Sequence, residues 1–506
     1  MEAVKKKLMM NKDIKLSSIR VVGILLGLVI QILFIKYIGS SQYGVYVLFS
    51  SWSNIFSNIL VLGFDILLVK ELSHLFILGE KSKFKYVLNR MILLVSINCL
   101  IFLVISVTIP ISYLRSTFFS NELLESTWLL IAFGSVIFTA FQLMGRTFIA
   151  IQKVELSFLR SEVIYKFFLL ICVLWFFVSF RSELGINIIL AGAVVSYALT
   201  ILFFLFFDKN KVKRYQDIDK TKIKISRENY VFFFINITFL LISQIDKMYL
   251  GKVASVNVLG TYGLAVSLVY MVNFSVAGYQ RFIPKISHFI NTNAIDEMQK
   301  EFKIVVRNAI IIALPAMMFL FVFADSVLLF FGAHYVVAAN TMRVLIFGQW
   351  ISFFTGPNSS LLINGKNGRV DLINLIVVLL LTTILMVIFY RLFGLIGVAI
   401  ATTTGLTVIN IVRVIEVKFF YKILTFEYQN LLLTAIVLSA FYIVRLVRIV
   451  PDNIILMLSI NLLVGTLIAV LMTAAVSRFI GIKLVPVNIE KYLNRTFILN
   501  ILKRLR

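Results

Sequence analysis

Residues 208–229 read DKNKVKRYQDIDKTKIKISREN, and eight of these positions are Lys or Arg. No other interruption between apolar stretches is as long and as polar. Before it lie six apolar stretches, near 17–38, 43–69, 87–109, 127–151, 162–180 and 186–207. After it lie eight more, near 230–250, 258–279, 304–324, 341–363, 371–391, 394–415, 430–449 and 454–476. About 20 apolar residues cross a bilayer as a helix, and a segment in lipid must satisfy its own backbone hydrogen bonds. The pattern predicts an all-α integral membrane protein with about 14 transmembrane helices. Residues 1–207 would form an N-lobe, 208–229 a cytoplasmic linker and 230–415 a C-lobe. Residues 416–506 would supply two more helices and a basic cytoplasmic tail.

The loops test this division independently of hydropathy. Dealt alternately to two sides, they put 40 of the 49 Lys and Arg on the side holding both termini, and nine on the other. The positive-inside rule makes the rich side cytoplasmic. A missed span would swap every later loop and destroy the asymmetry. Met1–Arg20 is then a basic lead-in to the first span, because the apolar stretch after it is too long for a signal peptide and has no small-residue cleavage site.

Composition agrees. Of 506 residues, 60% are hydrophobic and 14% charged, too few charges to cover a soluble protein of this size. The net charge of +25 does not point to nucleic acid, because the cations sit in short loops rather than in a basic domain. Cys99 and Cys172 lie inside apolar spans, and His74, His288 and His334 are scattered, so no metal site is expected. No phosphate-binding glycine loop, zinc-protease or hydrolase motif occurs, and no outer loop is long enough for a catalytic domain. The chain does not read as an enzyme, and no cofactor is expected.

Function should therefore lie with polar residues inside the spans. Ser51, Asn54, Asn58 and Asp65 share one face of the second span, either gluing helices together or lining a wet cavity. On the seventh span Asn236 and Lys247 share a face, with Gln244 and Asp246 beside it. Those two charges are either an interfacial pair or part of a site. Arg146 and Lys166 lie near the cytoplasmic ends of the fourth and fifth spans. With Arg281 and Arg307 they could ring a cationic mouth suited to a diphosphate. Asn54, Asn58, Arg146, Lys166, Asn236, Lys247, Arg281 and Arg307 are the substrate-binding candidates; Asp65, Gln244 and Asp246 are the ion-coupling candidates. Pro315 and the pair Gly356-Pro357 are candidate hinges, although a static kink fits them equally.

A short motif recurs. Gly44-x-Tyr46-x-Leu48-x-x-Ser51 opens the second span and Gly260-x-Tyr262-x-Leu264-x-x-Ser267 the eighth, 216 residues later and at the same place in the lobe. Duplicated lobes are a common transporter plan. The stretch Ile35–Tyr46, followed by Gly63-Phe64-Asp65 and Lys70-Glu71-Leu72, resembles the opening of bacterial polysaccharide flippases. So do Asp246–Gly251 with Leu259–Tyr262, and Asn364–Asn367 with Phe393–Ala401. The resemblance is to the O-antigen flippase type of the multidrug/oligosaccharidyl-lipid/polysaccharide exporter superfamily, and it covers essentially the whole chain. It implies two six-helix lobes in a V, alternating access, and passage of undecaprenyl-diphosphate-linked oligosaccharide from the cytoplasmic to the outer leaflet. It further implies a bacterial inner-membrane location, membrane lipids as partners, a proton or sodium gradient as driving force, and a polysaccharide polymerase and chain-length regulator as neighbours. It transfers no individual binding residue.

Four alternatives stand beside this reading. A lipid II flippase is a near relative. A drug or cation antiporter of the same fold would need an acidic site, which the first lobe lacks apart from Asp65. A membrane glycosyltransferase or a scaffold for polysaccharide assembly belongs to a different class.

Overall fold

The computed structural model describes residues 2–480 except 63–68, 70, 74, 77, 111, 112, 114–124, 181–185, 208–226, 366, 426 and 448–452. Among the described residues all regular structure is helical. The chain forms two compact units, Met1–Leu264 and Ala265–Arg506.

The first unit contains α1 (Glu2–Val61), α2 (Lys81–Thr108), α3 (Glu125–Ala150), α4 (Val154–Phe158), a π-helical turn (Leu159–Ile164), α5 (Tyr165–Phe180), α6 (Ile186–Phe207) and α7 (Arg227–Val253). It also holds most of α8 (Val256–Tyr270). The second unit takes up the end of α8 and a 3-10 segment (Met271–Gly278). It continues with α9 (Tyr279–Asn291), α10 (Ile295–Val322), α11 (Ala324–Phe331), a 3-10 segment (Ala333–Ala338), α12 (Ala339–Thr355) and α13 (Asn358–Asn364). It ends with α14 (Gly368–Phe393), α15 (Leu395–Tyr421), α16 (Tyr428–Val447) and α17 (Ile454–Ile480).

Among the described residues, twelve helices are long and apolar enough to cross a membrane. One of them, Ser18–Val61, is 44 residues long, about 66 Å at 1.5 Å per residue and twice the hydrocarbon thickness. It breaks at Gly39 (φ 83°, ψ 171°), a conformation that glycine adopts freely and side-chain-bearing residues resist. The break separates the first two expected spans. The fifth expected span is the run α4–π turn–α5. With these two adjustments the fourteen expected crossings are all present.

Several boundaries differ from the hydropathy reading. The second span ends at Val61, where Leu62 turns into the left-handed region (φ 50°), and Asp65 lies outside the described residues. The eighth leaves the α-helix after Tyr270 and turns into α9, whose Phe282, Ile286 and Phe289 are buried at helical spacing. The tenth is broken at Gly356 (φ 77°), and Pro357 precedes the short α13. By contrast α10 runs uninterrupted through Pro315, where buried Ala313, Leu314, Met317 and Met318 hold the helix in place despite the missing N–H.

Lipid tails are as apolar as leucine, so helices in a bilayer associate through close packing rather than water exclusion. Outward-facing Phe206 (83% exposed) and Leu446 (80% exposed) are accordingly ordinary here. Small residues set the close approaches. A side chain at Gly405 would collide with Thr382, bringing α14 and α15 together, and one at Gly134 would press on Phe49.

Candidate functional site

The two copies of the repeated motif touch each other through residues of the first unit, which takes in the second copy as far as Leu264. A Cβ on Gly44 would strike the Val256 carbonyl oxygen, and one on Gly260 would strike the Ser40 carbonyl oxygen. Ser40 precedes Gly44 by four residues, as Val256 precedes Gly260. Each would-be Cβ also lies 3.0 Å from the other glycine's amide nitrogen. Gly263 faces Val47, its own counterpart 216 positions away. The contact is thus reciprocal, like an isologous interface between two copies of one helix. The Ser40 hydroxyl donates to the Asn257 side-chain oxygen across it.

Asp246 braces this contact from α7. Its carboxylate accepts from the fully buried Tyr262 hydroxyl at 2.8 Å and from the Lys247 backbone N–H at 2.8 Å, and the residue is only 2% exposed. Tyr262 is the repeat counterpart of Tyr46. Gln244 donates to Ser243 at 3.3 Å, Lys247 is half-buried, and Asn236 is exposed on the outside of α7. The α7 candidates therefore divide between a buried brace and an open face.

A second polar cluster lies deeper in the first unit. Arg160 sits in the π turn, 3% exposed. Its guanidinium carbon stacks 3.7 Å from the centre of the Phe141 ring, and Nη1 donates to the Phe141 carbonyl oxygen. The group fits only because position 145 is glycine, since a Cβ there would collide with Nη2. Its Nε is buried and has no hydrogen-bond partner. No carboxylate pairs with it among the described residues, and Arg146 is near enough to repel it. Beside it Tyr165 and Tyr197 stack with centroids 4.3 Å apart and planes 2° from parallel. Hydrogen bonds link Tyr46, Tyr165 and Tyr197, and Tyr197 feels the Arg160 charge. Tyrosine edges and a planar cation in a dry setting can hold a phosphate or a sugar ring.

The other candidates disperse. Asn58 donates to the Asn54 backbone carbonyl at 2.8 Å and to its side-chain oxygen at 3.1 Å, so the pair satisfies itself along one helix. Lys166 pairs with Glu162 at 2.8 Å and donates to the Gly23 carbonyl at 2.9 Å, tying α5 to α1. Arg307 pairs with Glu427 at 2.8 Å and also donates to Gln429, joining α10 to the approach to α16. The side chain of Arg281 lies outside the described residues. The cationic mouth imagined from four residues is thus partly neutralised: two of its members carry acids of their own.

Sequence reasoning missed Arg160 and also a buried ion pair in the second unit. Asp371 on α14 is wholly buried and accepts from Arg413 Nε on α15 at 2.7 Å, from its Nη2 at 3.2 Å and from Ser359 on α13 at 2.8 Å. Nearby, Asn410 donates to Ser352 at 2.9 Å, and Thr355 donates to Asn410 at 3.2 Å. These bonds staple both sides of the Gly356-Pro357 break to α14 and α15. We expect Asp371→Asn to strand a buried guanidinium and cost about 3–5 kcal/mol, read as a large fall in detergent melting temperature. An unchanged melting temperature would show that the break needs no such support. No cluster suited to a metal ion occurs among the described residues.

Comparison with known proteins gives this geometry a family. The family of polysaccharide biosynthesis proteins matches residues 11–290, more than half of the chain. A search of curated proteins finds no match. Among solved structures, the lipid II flippase MurJ in an inward closed conformation aligns with 92% of this chain and 99% of its own, at 17% identity and a TM-score of 0.64. An inward-facing multidrug resistance MATE transporter of the MOP superfamily aligns with 80% of this chain and 98% of its own, at 16% identity and a TM-score of 0.64. A MOP superfamily transporter from Pyrococcus furiosus aligns with 81% and 95%, at 15% identity and a TM-score of 0.54. Fourteen helical crossings, a repeated motif that packs on itself and this match together assign the chain to the polysaccharide biosynthesis protein family, with the fold of the MOP-superfamily flippases and transporters.

Proposed function

We propose that this protein flips an undecaprenyl-diphosphate-linked oligosaccharide from the cytoplasmic to the outer leaflet of a bacterial inner membrane. The observation that carries the reading is Arg160: a buried guanidinium with an unused N–H and no carboxylate paired with it among the described residues, next to a second arginine and three linked tyrosines. Such a group favours an anion, because burial of an uncompensated cation is costly and a phosphate oxygen relieves it. A drug or cation antiporter would need the opposite charge there, and Glu162, the nearby acid of the π turn, is already occupied by Lys166. Membership of a polysaccharide biosynthesis family supports a glycan as the cargo.

The reciprocal Gly44–Gly260 contact fits alternating access. In the topology drawn from the charges it lies at the outer surface, and its parting would open the route there. A proton or sodium gradient would drive the cycle, with a polysaccharide polymerase and a chain-length regulator acting next. The likeness to MurJ along nearly the whole of both chains favours lipid II as a second reading, since its head group is also a sugar diphosphate on a long lipid.

The test is genetic. Deleting the gene should remove one surface glycan while its lipid-linked unit accumulates on the cytoplasmic side, with peptidoglycan synthesis unaffected. Accumulation of lipid II would establish the second reading, and an unaltered glycan and lipid pool would end both. Reporter tags at either terminus and within 208–229 should all register as cytoplasmic; a periplasmic signal from any of them breaks the topology.

A further inference from the structure

We infer that the first unit carries a lengthwise groove that holds the polyisoprenoid chain of an anionic lipid; this rests on the cargo proposed above. The groove lies between α2, α3 and the end of α6, with a cavity volume of about 580 Å³. From Leu88 to Leu103 it follows α2 for about 22 Å, most of the ~30 Å hydrocarbon core. Its existence follows from the way α2 is held. Leu60, Val95 and Cys99 pack together, as do Leu72, Val87, Met91 and Ala150, and Asn98 donates to the Leu60 carbonyl at 3.2 Å. These contacts hold α2 against the second span and, at Val136 and Leu143, against α3, and the groove opens beside them.

The lining wants hydrocarbon. Ile92, Leu100, Ala140, Met144 and Phe204 are among the apolar residues of the wall. The two threonines spend their hydroxyls on their own helix: Thr139 donates to the Ser135 carbonyl at 2.7 Å and Thr147 to the Leu143 carbonyl at 2.9 Å. The walls carry no charge.

One end is different. The lining positions Leu88, Ile92, Ser96, Cys99 and Leu103 form a single stripe on α2, and the next residue on that stripe is Lys85. Lys85 makes no ion pair among the described residues, whereas Lys83 is held by Glu80 at 3.1 Å. A hydrocarbon trough with a lysine next on the same helix stripe at its end complements a long chain that ends in phosphate. The charge complementarity selects an anionic lipid, and the proposed cargo selects its polyisoprenoid chain.

The experiment uses the full-length protein in liposomes with a polyprenyl diphosphate carrying a photoactivatable group in its chain. Labelling should map to the α2 and α3 peptides that contain Cys99 and Ala140. Excess unlabelled polyprenyl diphosphate should remove it, and excess phosphatidylglycerol should not. Ala140 is exposed into the groove, so Ala140→Phe fills the trough without crowding the core and should cut labelling at least tenfold. Ala140→Leu should act in the same direction if the larger change unfolds the protein, and Lys85→Gln should weaken retention. Labelling elsewhere, undiminished labelling in both Ala140 variants, or equal competition by phosphatidylglycerol would overturn the proposal. The labelling reads binding and needs no transport. A groove that labels in a protein whose deletion spares every glycan would therefore sink the transport reading alone. A protein that exports glycan yet never labels in the groove would sink this inference alone.

Discussion

Gly260→Val is expected to abolish glycan export while leaving the protein in the membrane at its normal level. The reason is geometric. Even a Cβ at this position collides with the Ser40 carbonyl oxygen, a backbone atom that cannot swing aside. Two further methyls must force α8 away from α1. Overpacking of this kind costs about 1–3 kcal/mol, and an equilibrium biased by that much shifts roughly 5- to 150-fold. A protein that must repeatedly close this contact would then dwell with it open.

The distance can be read directly. Ser40 and Asn257 meet side chain to side chain, so a Ser40→Cys, Asn257→Cys pair should be joined by a short thiol-reactive linker once Cys99 and Cys172 are replaced. Linking should stop export. Adding Gly260→Val should lower the linking yield by at least fivefold, and Gly44→Val should do the same, because the contact is reciprocal. Gly260→Ala should act in the same sense with a smaller effect. Normal linking and normal export in the valine variants would mean that the two glycines are merely close neighbours. A fall in linking with full export would show that the contact plays no part in the cycle.

The sequence made some of this readable and hid the rest for identifiable reasons. Fourteen crossings could be read because twenty-residue apolar runs and loop cations are both local signals. The repeat could be read as two matching motifs, but that the copies pack on each other is a long-range fact that spacing does not carry. Lys166 was visible as a cation inside a span, and so was its partner, since Glu162 lies one helical turn before it. Arg307 was equally visible, but Glu427 is 120 residues away and no local pattern links them. Arg160 falls between the apolar runs near 127–151 and 162–180, where a cation looks like a loop residue. The π turn, which has no dependable sequence signature, carries it into the interior. Asp371 and Arg413 were hidden in the same way, each looking like an end-of-span charge until the fold paired them.

Arg160 carries the other large effect. Arg160→Gln keeps a side-chain amide able to donate to the Phe141 carbonyl but removes the charge, while Arg160→Lys keeps the charge but loses the flat face that stacks on the ring. The two variants therefore separate packing from electrostatics. A hydrogen bond to a charged group is worth about 1.5–3 kcal/mol, and 1.4 kcal/mol is a factor of ten. If the guanidinium holds the diphosphate, Arg160→Gln should lower transport by roughly 10- to 150-fold, and Arg160→Lys should retain a measurable part of it. If the arginine serves only to pack against Phe141 and Gly145, the lysine variant should be the worse of the two, and its melting temperature should fall with its activity. Arg146→Gln adds a third reading. If the two arginines share an anionic cargo, removing the Arg146 charge should lower transport as well. The glutamine variant decides the matter: wild-type export from a chain without that charge would leave the buried cation with no role in carrying the cargo.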